Sequence, residues 1–351
     1  MALTDPVADG FRRQAAACHD LGSPFNALIC HLLRERLAPA SAFGRRIRDW
    51  PGNPVDDALA LRACGALHAL ARSGRCPALA AVYPPATADA EAVWSGIAAA
   101  VAVAEHDGFL AGWLDSPPQT NEVSRSAAIL GGCRTIAAAT DLPIEIYEIG
   151  SSAGLNLGFD RWRYDLGDTA WGPEDAAVRV VSRWDGAAPP PAPLEVVHRE
   201  GCDRNPLDPA SPTDRDRLLS YIWPDQGERL ARIAAALEVA AGAGWRVEKA
   251  DAADWVEARF AGPGSPGRVR ALVHTIVWQY LPAATQRRIE AAVQAAGAVA
   301  TADRPVAWLR IEPDGVPGSA GIRLTLWPTG ETRLLGRADY HGRWHRWGAD
   351  V

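Results

Sequence analysis

The stretch Ile144-Glu-Ile-Tyr-Glu-Ile-Gly150-Ser-Ser-Ala-Gly154-Leu-Asn156 decides how the chain reads. Its first six residues, rich in β-branched and aromatic side chains, predict a short strand. Gly150 to Gly154 predict a turn, and the residues after it predict the opening of a helix. Upstream, helix follows helix. Residues 11–21, 24–37, 54–73 and 89–106 are rich in Ala and Leu, with apolar positions three and four apart. A polar loop, Asp115-Ser-Pro-Pro-Gln-Thr-Asn121, leads to a further helix over about 122–140, with Thr120 or Asn121 as its N-cap.

Downstream the pattern alternates. Residues 194–198, 245–250, 269–278 and 306–311 read as strands, and 212–242 and 283–296 as helices, the first broken by Pro224. Residues 322–327 and 331–337 flank Pro-Thr-Gly as a hairpin. The stretch 269–278 is apolar nearly throughout, as in a parallel strand covered on both faces. Such alternation predicts an α/β fold. The expectation is an all-helical N-terminal domain over 1–115 and a Rossmann-like domain over 116–351. An insertion at about 162–193 interrupts the second domain, and within it 178–184 alternates like a strand.

Composition narrows the function classes. The chain has 351 residues, 48% hydrophobic and 22% charged, which is globular and long enough for two domains. A net charge of −6 without a basic arm argues against a nucleic-acid partner. The longest apolar stretch, 96–105, is too short to span a bilayer, and the first 25 residues carry no secretory pattern. Cys18, Cys30, Cys64, Cys76, Cys133 and Cys202 form no C-x-x-C pair, which excludes a zinc ribbon. They read as buried reduced thiols of a cytoplasmic protein. Lys249 is the sole lysine, so it alone is available for Schiff-base chemistry.

The turn after the first strand carries the chemistry. Glycines at 150 and 154 suit close approach of backbone N–H groups to a ligand, and a helix N-terminus behind them favours negative charge. The dinucleotide fingerprint Gly-x-Gly-x-x-Gly is not met, because Ser152 stands at its second glycine. The pattern Glu148-x-Gly150-x-x-x-Gly154 resembles motif I of the class I S-adenosylmethionine-dependent methyltransferases. The resemblance implies a seven-stranded-type sheet and S-adenosylmethionine as cofactor. Glu148, Gly150, Ser151, Ser152, Gly154 and Asn156 would then surround its methionine part.

Val196-Val-His-Arg-Glu-Gly-Cys-Asp203-Arg-Asn-Pro206 is similar to the family's second element and implies Asp203 as the ribose acid. Val247-Glu-Lys-Ala-Asp251-Ala252 is similar to the third and implies Asp251 and Ala252 near adenine. Residues 271–282 are similar to the strand facing the transferred methyl, with Trp278 and Gln279 towards a small-molecule acceptor and His274 or Tyr280 as a base. Asn121 and Arg125 are expected to line the acceptor side from the linking loop. The four elements come in the family's order over about 120–345. The spacing departs: Glu148 and Asp203 stand 55 positions apart, where about 20 is usual, so the insertion must absorb the excess.

Across nearly its whole length the chain also resembles a bacterial family known as domain of unknown function 2332. The resemblance rests on Pro117-Pro-Gln-Thr-Asn-Glu-Val-Ser-Arg125, the Glu148 turn, Asn205-Pro-Leu-Asp208, Trp223-Pro-Asp-Gln226 and Val277-Trp-Gln-Tyr-Leu281. It implies membership and no particular reaction.

Two other readings stay open. Gly150-Ser-Ser152-Ala-Gly154 is also Gly-x-Ser-x-Gly, the nucleophile elbow of serine hydrolases, with Asp303 and then His341 or His345 in the required order. Against it, no strand precedes residue 144. Alternatively the fold binds S-adenosylmethionine or a nucleotide without turnover, as a regulatory protein. Plain structural roles compete at single positions: Asp251 as a helix cap, His274 as a satisfied core histidine, Asn121 and Arg125 as a helix start and an ion pair. No metal is expected, because His341 and His345 have no evident third ligand.

Overall fold

Helices α1 Asp5–Asp20, α2 Pro24–Arg36, α3 Ala42–Arg48, α4 Leu59–Arg72, α5 Pro77–Ala80, α6 Ala90–Ala102 and α7 Ala104–Trp113 follow one another in the N-terminal third. The computed structural model describes residues 5–38 and 40–348, so the extreme ends of both expected domains lie outside the described residues. The chain divides into two compact units: Met1–Thr120 with Pro212–Ala231, and Asn121–Ser211 with Arg232–Val351.

In the first unit α4 is buried along nearly its whole length, from Leu59 to Ala71. Its alanines and Gly65 let neighbours pack close, and a Cβ on Gly65 would lie 2.5 Å from the Tyr221 ring. Helix α9, Pro212–Ser220, packs on α4. The expected helix over 89–106 ends early: Val103 is extended and serves as C-cap of α6 and N-cap of α7. The Trp223-Pro-Asp-Gln226 motif is also accounted for here. Trp223 enters the helical core. Asp225 accepts from Ser23 Oγ and, at 2.9 Å, from Phe25 N, so it caps the start of α2.

The second unit holds α8 Ser126–Thr140, the C-terminal part of α10 Gly227–Ala243, α11 Ala252–Phe260 and α12 Ala283–Ala298. Its strands are β1 Ile144–Ile149, β2 Arg163–Leu166, β3 Thr169–Trp171, β4 Arg179–Gly186, β5 Val196–Asp203 and β6 Arg246–Lys249. They continue with β7 Val269–Thr275, β8 Val306–Pro313, β9 Ala320–Trp327, β10 Glu331–Ala338 and β11 Trp344–Trp347. All join one sheet in the order β3-β2-β4-β11-β10-β9-β8-β7-β1-β5-β6.

The run β6-β5-β1-β7-β8 is parallel throughout. Taken in chain order, these five strands stand third, second, first, fourth and fifth across the sheet. The order therefore reverses between β1 and β7, the place where open α/β sheets hold ligands at their carboxyl edge. The protein is thus a mixed α/β fold around a large, mostly parallel sheet. Helix α8 covers one face, with a Cβ on its Gly132 only 2.5 Å from Leu309. Helices α11 and α12 cover the other through Trp255, Val256, Ile289, Val293 and Trp308.

The crossover from β1 to β5 does not run through an α-helix. A 3-10 segment, Leu155–Arg161, follows the turn, and the chain then makes β2, β3 and β4 at the distant sheet edge before β5 returns beside β1. The α-helix expected after Gly154 is therefore absent, and with it the helix N-terminal field expected to favour an anion.

Candidate functional site

The turn after β1 is built from three left-handed residues at alternate positions: Gly150 at φ +71°, Ser152 at φ +54° and Gly154 at φ +72°. Glycine adopts this region freely, whereas for a side-chain-bearing residue it costs about 1–2 kcal/mol. The surroundings hold it in place. Gly150 N and Ser151 N donate to Cys202 O at 2.9 and 3.1 Å. Ser151 Oγ donates to Glu148 O at 2.8 Å. Gly201 on β5 leaves that hydroxyl room, since a Cβ there would lie 2.1 Å from it. Asp203, at the end of β5, accepts from Ser152 N at 2.9 Å through Oδ2 and from Asn205 N at 2.8 Å through Oδ1. Asn121 accepts from Leu155 N at 3.0 Å, so its side chain braces this turn and does not cap α8.

This bonding corrects one expectation. The N–H groups of Gly150, Ser151, Ser152, Gly154 and Leu155 all donate within the protein, so they do not face a ligand. Gly150 serves packing instead: a Cβ there would lie 2.5 Å from Val277 Cγ2. The open capacity is of the opposite kind. Glu148 Oε2, Ser152 Oγ and Asn156 Oδ1 are buried without hydrogen-bond partners. Burial, with the Asp203 charge adding to it, pushes the Glu148 carboxyl up to about 7, against the Ser151 hydroxyl and the Arg125 charge. An orphaned buried polar atom costs about 1–3 kcal/mol, and three of them cluster here within nine residues.

Strand β7 ends beside this turn. Ile276 lies at φ +50°, a strained conformation for a β-branched residue. Val277 N then donates to both Glu312 carboxylate oxygens, at 3.1 and 3.2 Å. Glu312 Oε1 stands 2.7 Å from His274 Nδ1, and Trp308 Nε1 donates to His274 Nε2 at 3.1 Å. Because Nε2 accepts, Nδ1 carries the proton, and the ring is neutral. Trp278 stacks on it, with centroids 5.1 Å apart and planes at 17°. His274 is fully buried with both nitrogens engaged, so it fixes the end of β7 and has no lone pair left for a substrate proton.

Residues 278–280 form a 3-10 turn, and Tyr280 is 73% exposed with Gln279 exposed beside it. Asp251 caps α11, its Oδ1 accepting from Ala253 N at 2.9 Å and Asp254 N at 3.4 Å. Ala252 is the first residue of that helix and enters the core. Ala250 N donates to Asp203 O at 3.1 Å, which sets the end of β6 beside the β5 acid. Arg125 Nε donates to Tyr340 O at 2.7 Å. The structure thus joins Asn121, Glu148, Ser151, Ser152, Gly154 and Asp203 in one bonded cluster, with Trp278 next to it through Val277. Glu312 and Trp308, which organise the β7 end, were missed. The only trace of Glu312 in the sequence is an acid just past an apolar run.

The family described as an uncharacterized protein conserved in bacteria (DUF2332) matches residues 8–347. The chain belongs to this family. No curated protein and no solved structure matches it.

The DUF2332 match takes in both compact units. In this DUF2332 protein the three residues of a hydrolase triad are not brought together. Ser152 Oγ has no partner, while His345 Nδ1 lies 2.8 Å from Ser182 Oγ, joining β11 to β4. Asp303 accepts from Gly267 N at 3.1 Å, where the amino ends of β7 and β8 lie. All six cysteines are free thiols and buried. No helix among the described residues is long and apolar enough to cross a membrane.

Proposed function

We propose that this protein binds S-adenosylmethionine at the β1–β7 switch point and transfers its methyl group to a small molecule, within a class I methyltransferase-type fold. One observation carries the reading: the N–H groups of Gly150, Ser151, Ser152, Gly154 and Leu155 are bonded internally, while Glu148 Oε2 and Asn156 Oδ1 are buried without partners. A phosphate-bearing cofactor needs donors from such a turn. S-adenosylmethionine presents an ammonium, which is a donor, beside a carboxylate that must find its donors outside these five N–H groups. The five-strand order and the position of Asp203 at the end of the strand beside β1 support the same reading.

Bound S-adenosylmethionine supplies an electrophilic methyl on a sulfonium. The protein's part is to bind and orient. Glu148 and Asn156 accept from the ammonium side. Each Asp203 oxygen already accepts one backbone bond and has a second lone pair for a ribose hydroxyl. Asp251 and Ala252 border the adenine side. Trp278, Gln279, Asn121 and Arg125 bound the acceptor side. Positioning alone accounts for much of the acceleration such a transfer needs. No side chain is assigned as a base, since His274 is locked and Tyr280 points to solvent. That same locking favours, as the second reading, a protein that binds S-adenosylmethionine without turnover. Consumption of the methyl group by candidate acceptors separates the two.

Calorimetric titration of ligand-free protein with S-adenosylmethionine and its demethylated product tests the reading. Binding with a dissociation constant on the order of 10 µM, about −7 kcal/mol, is expected. Asp203→Ala is expected to weaken it by about 1–3 kcal/mol. No heat from either ligand in a folded sample removes the proposal.

A further inference from the structure

A cleft of about 190 Å³ opens between α12, the carboxyl halves of β7 and β8 and the amino half of β9. Its walls include Trp278, Trp308, Glu290, Arg310, Glu312 and Arg323. The charges in it are unevenly matched. Arg323 and Arg337 both bond Asp314, at 2.7 and 2.8 Å, and hold that carboxyl down to about 2. Glu312 is taken up by His274 and Val277.

Arg310 is left over. Its Nη2 donates to the neutral Thr325 hydroxyl at 2.6 Å, and its Nε is buried without an acceptor. The guanidinium lies 4.3 Å from the Trp308 ring centroid, and among the described residues it makes no ion pair. Burial lowers its basicity, the Arg323 charge adds to that, and the Glu290 charge opposes it. A half-buried guanidinium with no ion-pair partner is open to an anion that enters beside it. Among the described residues no carboxylate stands within ion-pair distance of it, and Arg310 lines the cleft.

We propose that this cleft binds a small aromatic carboxylate, with Arg310 holding the carboxylate and Trp278 and Trp308 walling the ring. The volume lies below the range of drug-sized sites and suits one ring. The indoles meet edge to face, with centroids 5.7 Å apart and planes at 61°, and give an apolar corner. One guanidinium without an ion-pair partner supplies one positive charge, which matches a monoanion better than a dianion such as phosphate. The site stands independently of methyl transfer.

Calorimetry on the full chain, without S-adenosylmethionine, tests it with benzoate, neutral benzamide and inorganic phosphate. Benzoate is expected to saturate one site, with benzamide and phosphate clearly weaker. Arg310→Gln is expected to weaken benzoate roughly 10- to 100-fold. It is also expected to raise the unfolding temperature of the ligand-free protein, because a desolvated cation is removed. Arg310→Lys is expected to restore part of the affinity. Absence of benzoate binding, equal binding of benzamide or phosphate, or an unchanged affinity in Arg310→Gln would overturn the proposal. A fall in unfolding temperature would make Arg310 a structural strut and overturn it too. Failure of S-adenosylmethionine to bind leaves each of these outcomes readable.

Discussion

Replacing Glu148 by Gln tests whether the turn keeps a buried, protonated acid in the free protein. The Glu148 carboxyl rises from 4.5 when exposed to about 7 in the fold, chiefly because burial disfavours its charge. A group whose folded value is raised contributes its full stability below the unfolded value and loses it as pH rises through the folded one. Between pH 4.5 and about 7 the folded chain holds one proton that the unfolded chain has released. At about 1.36 kcal/mol per pH unit, that interval removes about 3 kcal/mol. Glu148→Gln has no such proton to lose. Denaturant unfolding of both proteins over pH 4–8 isolates the difference, since other titrating groups cancel. The variant is expected to match the wild type near pH 4 and to exceed it by about 3 kcal/mol above pH 7. A difference that stays flat from pH 4.5 to 7.5 refutes the reasoning. The same proton couples to the proposed ligand: an ammonium favours the ionised carboxylate, so wild-type affinity for S-adenosylmethionine is expected to weaken as pH falls below about 7.

Two further perturbations address the turn itself. Gly150→Ala adds a Cβ 2.5 Å from Val277 at a left-handed φ, so a loss of about 2–5 kcal/mol in chemical denaturation is expected. Ser152→Gly relieves a left-handed serine and deletes an unpartnered buried hydroxyl. Set against the greater chain entropy of glycine, that leaves a gain of about 1–2 kcal/mol in the same assay. A destabilised Ser152→Gly, or labelling of wild-type Ser152 by a fluorophosphonate, would contradict its reading as a turn residue.

Local periodicity made much of the sheet legible. Residues 144–149 form β1 as expected, and the hairpin over 322–337 appears as β9 and β10. The stretch 269–278 was apolar to its end, yet β7 stops at Thr275, because Ile276 turns into the left-handed region under the pull of Glu312 on Val277 N. No local pattern announces that contact, which joins residues in different strands. Strands β2, β3 and β11 are too short to show a period, and their pairing is set by partners far along the chain. The site was legible as a motif but not as a set of roles. Asn121 looked like a helix cap and instead braces Leu155. The glycines looked like a cradle of donors, while the open valence belongs to acceptors. Both distinctions depend on which backbone groups are already bonded, and residue type does not record that.

The placement of β4 beside β11 has a consequence for synthesis of the chain. The two strands pair in parallel, His345 bonds Ser182, and Trp184 stacks on His345 and Trp347. Yet β4 leaves the ribosome long before Trp344 does. At about 5–20 residues per second that interval lasts roughly 8 to 30 s. Throughout it, a strand with Val180 and Ser182 destined for burial has no neighbour on that side. Its opposite face carries Arg179, Arg183 and Asp185, all exposed in the finished fold. Charges on a waiting strand are how nascent sheets resist pairing with another chain. The last strand made is therefore the one that closes the sheet, and the exposed arginines of β4 keep its place open until it arrives.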